Sequence, residues 1–319
     1  MLLPVLGVVA SMWDYSAVAV KQVTATSTFL DKRHPAAYQP QRVLDFEPTY
    51  DPEVEGPIPK TAWCEGKPDE GVGEGITITL GGAQTIDSLN IAAGVWLSPE
   101  LFATNNKPTS LAVSLDNGPP ITVTPSQLKR AWAQVPVHAR VQTIAIHILG
   151  VAKGKMNDTC LSGVQIVRGG VPARPLFGWP VAAADSLPGA LKAIDAGLSS
   201  DKLVGLDALL DFPFTVHDVD ATIDGHDEKF THRDFKSVVD ACAKEAKYIA
   251  AHPKTGISGQ PVACPSTVRP DPANFFDVVK PDTVKLTFSS HRDYLVTWLL
   301  HWTGFAWKLK AIDYDTVSP

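Results

Sequence analysis

One stretch, residues 61–80, constrains the fold of this 319-residue chain most. It begins with Thr61-Ala62-Trp63-Cys64, continues into a glycine-rich run at 71–75, and ends with 76–80, where isoleucine and leucine alternate with threonine. This period of two predicts a half-buried β-strand, and glycines suit a loop that turns sharply into it. A glycine-rich loop that cradles phosphate would lead into a helix instead. The stretch therefore indicates a β-rich domain rather than a phosphate site.

Further strand signals follow this stretch. In residues 144–148 three isoleucines alternate with Ala145 and His147, which predicts a strand with one face in a core. Asp116-Asn117-Gly118 is a hairpin turn signal. Many short strands with frequent turns are typical of a sandwich or a jelly roll. The predicted strands are 23–29, 76–80, 86–96, 109–115, 120–124, 132–137 and 141–149.

Three segments, taken in order, carry a resemblance to a known family. They are Thr61-Ala62-Trp63-x-Glu65-Gly66 with the glycine-rich run after it, residues 90–96 continuing to 104–108, and residues 155–162. Together they resemble the discoidin-like domain that precedes the catalytic part of streptococcal NAD glycohydrolases. The resemblance covers residues 24–168. It implies an all-β jelly-roll sandwich whose loops at one end meet a ligand.

A set of aromatic and polar residues falls in the predicted loops of this domain. Sugars need an aromatic platform together with amide or carboxylate hydrogen bonds, and the set offers both. We therefore predict a site for a glycan or another cell-surface ligand. Two alternatives stay open: the loop tryptophans pack beneath their loops, and the aspartate caps a turn. The predicted ligand-binding residues are Trp63, Glu65, Trp96, Asn105, Asn106, Asn157 and Asp158.

The pattern changes after a Gly-Gly and proline-rich segment, residues 169–185, which reads as a linker. The sequence after this segment predicts an α+β domain over 186–319. Its elements are a helix over 187–198, a strand that begins with Phe212-Pro213, a helix capped by Thr231 and long terminal strands. The order resembles the nuclear-transport-factor-two-like (SnoaL-like) fold, which implies a curved antiparallel sheet with packed helices. The terminal strands are predicted to form a hairpin through Thr303-Gly304.

The N-terminus and the cysteines indicate export. Residues 1–9 are apolar and Ala17-Val18-Ala19 has the small-x-small form of a signal-peptidase site, so residues 1–19 read as a signal peptide, or alternatively as a buried strand or helix. The jelly roll would then occupy 20–168. Cysteines fall two in each half, which predicts disulfides and a secreted, periplasmic or cell-surface location. The predicted pairs are Cys64–Cys160 and Cys242–Cys264, although Cys242 also fits a buried thiol on a helix face.

The sequence argues against nucleic acid, a membrane span and a metal site. The net charge of −6 without a long basic run argues against nucleic acid, and no stretch has the length of a membrane span. No C-x-x-C motif is present, and the acidic loop between Asp218 and Glu228 reads as a solvated connection more readily than as a metal site. We therefore expect no metal and no cofactor.

The function that these features predict is binding without catalysis. The N-terminal domain would recognise the ligand, and the C-terminal domain would serve as a pocket or interaction module. No G-x-S-x-G motif is present, and no catalytic domain of the glycohydrolase kind is visible in the second half. The alternative is an enzyme whose active site lies in the C-terminal cone, with His291 and His301 as acid–base candidates.

Overall fold

The structure is a computed structural model that describes residues 16–32, 36–45, 62–198, 207–218, 226–230, 275–280, 282–289 and 294–316. The chain divides between Asp185 and Ser186 into two compact units. Each unit has its own sheet. Neither helix in the described ranges combines the length and apolarity needed to cross a membrane.

The first unit is mostly β and has a jelly-roll, barrel-like architecture. The eight strands in the described part of this unit hydrogen-bond in the order β2-β7-β8-β1-β3-β6-β4-β5, and β7 also pairs with β3 and β4, so that the sheet folds back on itself. This agrees with the predicted all-β class. The strands are β1 Ser16–Ala25, β2 Trp63–Cys64, β3 Gly75–Ala93, β4 Asn105–Leu115, β5 Ile121–Val123, β6 Ala133–Ala152, β7 Met156–Arg168 and β8 Val171–Phe177, with the short helix α1 Pro99–Thr104 between β3 and β4.

Strand β3 shows how the sequence pattern builds this core. Its first part pairs with β1 and β6, and its last part pairs with β6 and β7, with a register shift between Thr79 and Gln84. The shift contains Gly81, where a Cβ would lie 3.1 Å from that of Ala19, so a larger residue would crowd β1. The alternating residues that the sequence analysis identified are buried in the core: Ile76, Ile78, Leu80, Ile144, Ile146 and Ile148.

Strand β1 contains the residues that resemble a signal-peptidase site. Ala17, Val18 and Ala19 are buried, and the Gln84 amide pairs with the backbone of Ala19, accepting its N–H at 3.0 Å and donating to its C=O at 2.9 Å. A cut after Ala19 would divide this strand. For residues 16–25 the structure therefore has the buried strand that was the alternative interpretation, because small residues also suit a tightly packed strand.

The predicted linker also contains regular structure. Gly169 and Gly170, both with positive φ, turn the chain from β7 into β8, which pairs with β7 and runs parallel to β1. Helix α2, Val181–Leu198, follows. The two prolines at 172 and 175 conceal the strand pattern, because proline is uncommon in a strand with neighbours on both sides.

Within the described ranges, the second unit contains a mixed sheet of six strands in the order β10-β9-β14-β13-β12-β11. Trp302 and Trp307 face each other across the predicted β13–β14 hairpin with ring centroids 5.5 Å apart, and Thr303 N–H bonds to Ala306 C=O. Strand β9 runs parallel to β14, where the sequence predicted an antiparallel sheet. The strands are β9 Leu210–Asp218, β10 His226–Phe230, β11 Phe275–Lys280, β12 Thr283–Ser289, β13 Tyr294–Trp302 and β14 Trp307–Thr316.

Several predictions for the second half lie outside the described residues. These are the helix that begins at Thr231, the Cys242–Cys264 disulfide, His291 and most of the acidic loop. The SnoaL-like fold stays a prediction. The helix predicted over 187–198 is the later part of α2, and its Leu187, Leu191 and Ile194 are buried.

Candidate ligand-binding cavity

A cavity with a volume of about 140 Å³ opens at one end of the first unit. The segment after β1, the turn at 36–38, β2, the loop after β3, helix α1 and the beginnings of β4 and β7 all contribute to it. Ser98 caps α1 by accepting the N–H of Leu101 at 3.1 Å, which fixes the helix that carries Leu101 into the wall. The lining is mainly apolar: Phe29, Tyr38, Ala62, Cys64, Val95, Leu97, Leu101, Asn105, Met156, Asp158, Cys160 and Ser162.

A disulfide forms part of the cavity wall. Cys64 on β2 lies directly opposite Cys160 on β7, and the two are bonded as the sequence predicted. Both residues are buried and pack with Ala62, and Tyr38 packs against this cluster. Because the bridge joins residues 96 positions apart, it holds the early loops of the unit against β7.

Two aromatic rings stand at the cavity. Phe29 and Tyr38 meet edge to face with centroids 5.7 Å apart, and Phe29 is 39% exposed. Tyr38 has φ of 62°, a left-handed conformation that is uncommon for a residue with a bulky side chain. Burial, followed by the negative charges of Asp31 and Asp158, raises the pKa of Tyr38, so its hydroxyl stays protonated and able to donate a hydrogen bond. Strain of this kind tends to be retained where it serves a function.

Asp158 is the carboxylate of the cavity. It lies on β7, and burial raises its pKa above the ordinary value. Within the described ranges its oxygens have no hydrogen-bond or ion-pair partner. Its negative charge acts on Tyr38 and contributes to the raised pKa of that residue. Because Asp158 is half-buried in an open cavity and has no partner among the described residues, its oxygens are available to accept hydrogen bonds from an external donor.

Three of the predicted ligand residues build the protein instead. Asn106 is buried, donates to Asn157 Oδ1 at 3.0 Å and to Thr159 Oγ1 at 3.2 Å, and accepts the N–H of Gly154 at 2.8 Å. Asn157, although exposed, donates to the carbonyls of Pro68 and Asp69 at 3.0 and 2.7 Å. We call Asn106, Asn157 and Thr159 the asparagine framework. Asn105 touches the cavity but is buried, and its amide donates to Leu101 C=O at 2.9 Å.

The predicted tryptophan platforms are also structural. Trp63 and Trp96 are fully buried, and their indole N–H groups donate to the carbonyls of Ser27 and Ala93, each at 2.9 Å. Neither can offer a ring face to a ligand. Glu65 is buried as well and accepts the N–H of Lys67 at 2.6 Å, and burial is the main reason that its pKa is raised. Asp158 is thus the predicted residue that the structure places at the cavity without a partner among the described residues.

The sequence analysis missed Phe29, Tyr38 and Met156. They come from three separate segments without periodicity, so spacing could not bring them together. One signal was available: Phe29 continues into Leu30 beyond a Thr/Ser-rich strand, and exposed apolar residues in such a segment are candidates for binding. Met156 is 48% exposed at the start of β7.

A second polar cluster lies in the second unit around His301, which the sequence analysis named. Its Nδ1 lies 2.8 Å from Asp211 Oδ2 and its Nε2 lies 3.4 Å from Asp282 Oδ2. Lys310 Nζ is 3.7 Å from the same Asp211 oxygen. Hydrogen bonding to Thr283, followed by the charge of His301, lowers the pKa of Asp282. In the part of the chain that the structure describes, no group of acidic, histidine and cysteine residues is arranged to hold a metal ion.

The first unit is therefore a jelly-roll domain with a partly apolar cavity at its loop end. Residues 14–167 match the family model of the NAD glycohydrolase translocation F5/8 type C domain, in agreement with the discoidin-like resemblance seen in the sequence. This match falls almost entirely within the first unit and ends before strand β8. No curated protein matches the chain.

Solved structures resemble the chain at low identity. The family 32 carbohydrate-binding module of AlyQ, in complex with 4,5-unsaturated mannuronic acid, is 18% identical and covers 49% of this chain and 100% of its own, with a TM-score of 0.32. The Streptococcus pyogenes NAD⁺-glycohydrolase translocation domain is 21% identical and covers 32% and 92%, with a TM-score of 0.27. The family 32 module of Clostridium perfringens NanJ, in complex with galactose, is 16% identical and covers 46% and 91%, with a TM-score of 0.29.

Proposed function

We propose that the first unit binds a glycan in its cavity and that the protein acts as an exported, non-catalytic binding protein. The observation that carries this proposal is the open cavity that is lined by Phe29, Tyr38 and Asp158, the last without a partner among the described residues. An aromatic ring can pack against the C–H face of a sugar ring, while a phenol and a carboxylate can bond to its hydroxyls.

The small volume of the cavity indicates that only part of a glycan would enter it. Its volume of about 140 Å³ is smaller than the roughly 300–1,000 Å³ of pockets that enclose a drug-sized ligand. One edge of a single sugar ring would enter, and the rest of the ligand would lie on the exposed parts of Phe29 and Met156. This favours recognition of one residue at the end of a glycan chain.

The disulfide and the domain type support the proposed export. Disulfides such as Cys64–Cys160 persist in oxidising compartments, which supports a secreted, periplasmic or cell-surface location. The second unit would serve as a pocket or interaction module with a role separate from that of the first. The glycan array described below uses the full-length protein, so it also tests whether the second unit binds a ligand.

A specific observation favours the enzyme alternative. The 2.8 Å contact between His301 and Asp211 has the geometry of an imidazole oriented by a carboxylate, an arrangement found in acid–base catalysis. If the second unit is catalytic, His301→Gln abolishes turnover of a bound glycan without changing its affinity. If the protein only binds, product analysis finds no turnover by the unaltered protein.

The test of binding begins with a glycan array probed with the full-length protein. The best ligand is then titrated against the unaltered protein, Tyr38→Gly and the control Leu128→Ala, which removes an apolar side chain that is 95% exposed and does not line the cavity. Glycine tolerates the left-handed backbone at position 38, so this variant keeps the turn while losing the ring. We expect roughly tenfold weaker binding for Tyr38→Gly and little change for the control. An array without ligands, or equal affinities for all three proteins, would overturn the proposal.

A further inference from the structure

We propose that the ligand of the cavity is an amino sugar whose ammonium group pairs with Asp158. This inference rests on the proposed glycan binding and specifies the chemical class of the glycan. Its basis is the placement of one carboxylate, without a donor among the described residues, beside aromatic and apolar groups that an ammonium group can approach.

The charge balance of the cavity favours a cation. Among the residues that the structure describes, its lining contains the carboxylate of Asp158 and no lysine, arginine or histidine. Asp31 adds a second negative charge close enough to act on Tyr38. An ionised carboxylate that is partly removed from water is costly unless a cation or several donors approach it, and burial accordingly raises its pKa. An incoming ammonium group would supply both the charge and the donors.

The aromatic residues reinforce this preference. Phe29 and Tyr38 line the same cavity as Asp158, and the quadrupole of an aromatic ring attracts a cation that approaches its face. A charge-assisted hydrogen bond is roughly twice as strong as a neutral one. A hydroxyl of a neutral sugar that bonds to ionised Asp158 supplies no opposite charge, whereas an ammonium group supplies both the hydrogen bond and the opposite charge, together with the ring contact.

The dimensions of the cavity suit a small polar group. The volume of about 140 Å³ is below the roughly 300–1,000 Å³ of pockets that enclose a drug-sized ligand. An amino group and its ring carbon fit this space. An acetylated amine carries no charge, so it cannot form an ion pair with Asp158.

The experiment compares two ligands of the same backbone and length with the full-length protein. Glucosamine oligosaccharides and N-acetylglucosamine oligosaccharides are titrated calorimetrically at pH 6, where the glucosamine amine is largely protonated, against the unaltered protein, Asp158→Asn and Glu100→Gln. Glu100 is an exposed carboxylate on α1 that does not line the cavity, so its variant controls for net charge. We expect the unaltered protein and Glu100→Gln to prefer the amine form by about tenfold or more, and Asp158→Asn to lose that preference.

A second readout does not require a variant. Because the ion pair needs an ionised Asp158, the preference of the unaltered protein for the amine should shrink as the pH falls through the raised pKa of this group. Among the described residues, Tyr38 lines the cavity with Asp158 and Asp31 acts electrostatically on Tyr38, and Tyr38 stays neutral throughout this range because its pKa is raised.

The possible failures are distinguishable. If both oligosaccharides bind equally well, glycan binding stands and the amino-sugar inference is overturned. If neither binds while a neutral sugar on the array does, the inference is again overturned and the proposed function is supported. If Asp158→Asn retains the preference, Asp158 is not the receptor of the amine. If no glycan binds at all, the proposed function fails together with the inference.

Discussion

The asparagine framework and the cavity lie at the same end of the first unit, but their polar side chains differ in whether they have hydrogen-bond partners. In the framework, the amide groups of Asn106 and Asn157 bond to other loops and to each other. In the cavity, Asp158 follows Asn157 directly in sequence and has no donor among the described residues. The comparison shows that a polar residue in a predicted loop is not necessarily a binding residue. Whether its side chain has a hydrogen-bond partner within the protein is a better guide to binding.

The largest effect is expected from the disulfide, which serves both regions. The double variant Cys64→Ala/Cys160→Ala releases a loop closed over 96 residues, which corresponds to about 4–5 kcal/mol in the chain-entropy model. It also removes part of the cavity wall, so glycan affinity should fall as well. Denaturant unfolding under non-reducing conditions measures the change. A loss below about 1 kcal/mol would mean that the bridge adds little to the hydrogen bonds of the framework.

Asn106→Ala tests the framework directly. The substitution leaves the N–H of Gly154 and the acceptors on Asn157 and Thr159 without their partner, and we expect a loss of about 2–4 kcal/mol in the free energy of unfolding. The matched control is Asn117→Gly, in an exposed turn at the far end of β4, where φ of 61° suits glycine. If the two variants have the same free energy of unfolding, the asparagine framework does not stabilise the fold.

Glu74→Gln compares a partnered carboxylate with that of the cavity. Hydroxyl hydrogen bonds from Ser27 and Thr26, the latter at 2.6 Å, lower the pKa of Glu74 below its ordinary 4.5. A lowered pKa in the folded state contributes stability above pH 4.5 that is lost as the pH falls through the folded value. We expect the variant to lose about 1–2 kcal/mol at neutral pH and to be less sensitive to acid. Equal pH profiles for the two proteins would show that these hydrogen bonds do not stabilise the fold.

The smallest effect on stability is expected from Asp158→Asn. Because burial raises the pKa of this group, its ionised form opposes folding at neutral pH, and this penalty disappears as the pH falls below its unfolded value. The neutral amide removes the penalty, so the free energy of unfolding should stay within about 0.5 kcal/mol or rise. Thermal and denaturant unfolding at pH 7 provide the measurement. A loss comparable to that of Asn106→Ala would place Asp158 in the framework.

Much of the first unit could be predicted from sequence because its strands follow a simple rule. The alternating isoleucines at 144–148, the Asp116-Asn117-Gly118 turn and the pairing of Cys64 with Cys160 depend on local period, turn chemistry or an even cysteine count, and the structure contains all three. Strand β8 was missed because its prolines resemble those of a linker.

The cavity was harder to predict for a physical reason. A tryptophan in a loop stabilises the fold by burying its ring or binds a ligand by exposing it, and the sequence around Trp63 is compatible with both. Tyr38 lines the cavity with its backbone in a left-handed conformation, and no repeating pattern in the sequence predicts that conformation. Asp158 was identified from the family resemblance, but its lack of a partner within the described ranges becomes visible only in three dimensions.

The most direct test of the account is the methyl spectrum of methionine during glycan binding. The chain has three methionines, and one of them, Met156, lines the cavity. With methionine-methyl labelling, the Met156 signal can be assigned from a Met156→Leu variant. We predict that a ligand selected on the array shifts this signal in proportion to occupancy, with the same dissociation constant as calorimetry. Saturable binding that leaves the Met156 signal unchanged would contradict the assignment of the cavity as the glycan site.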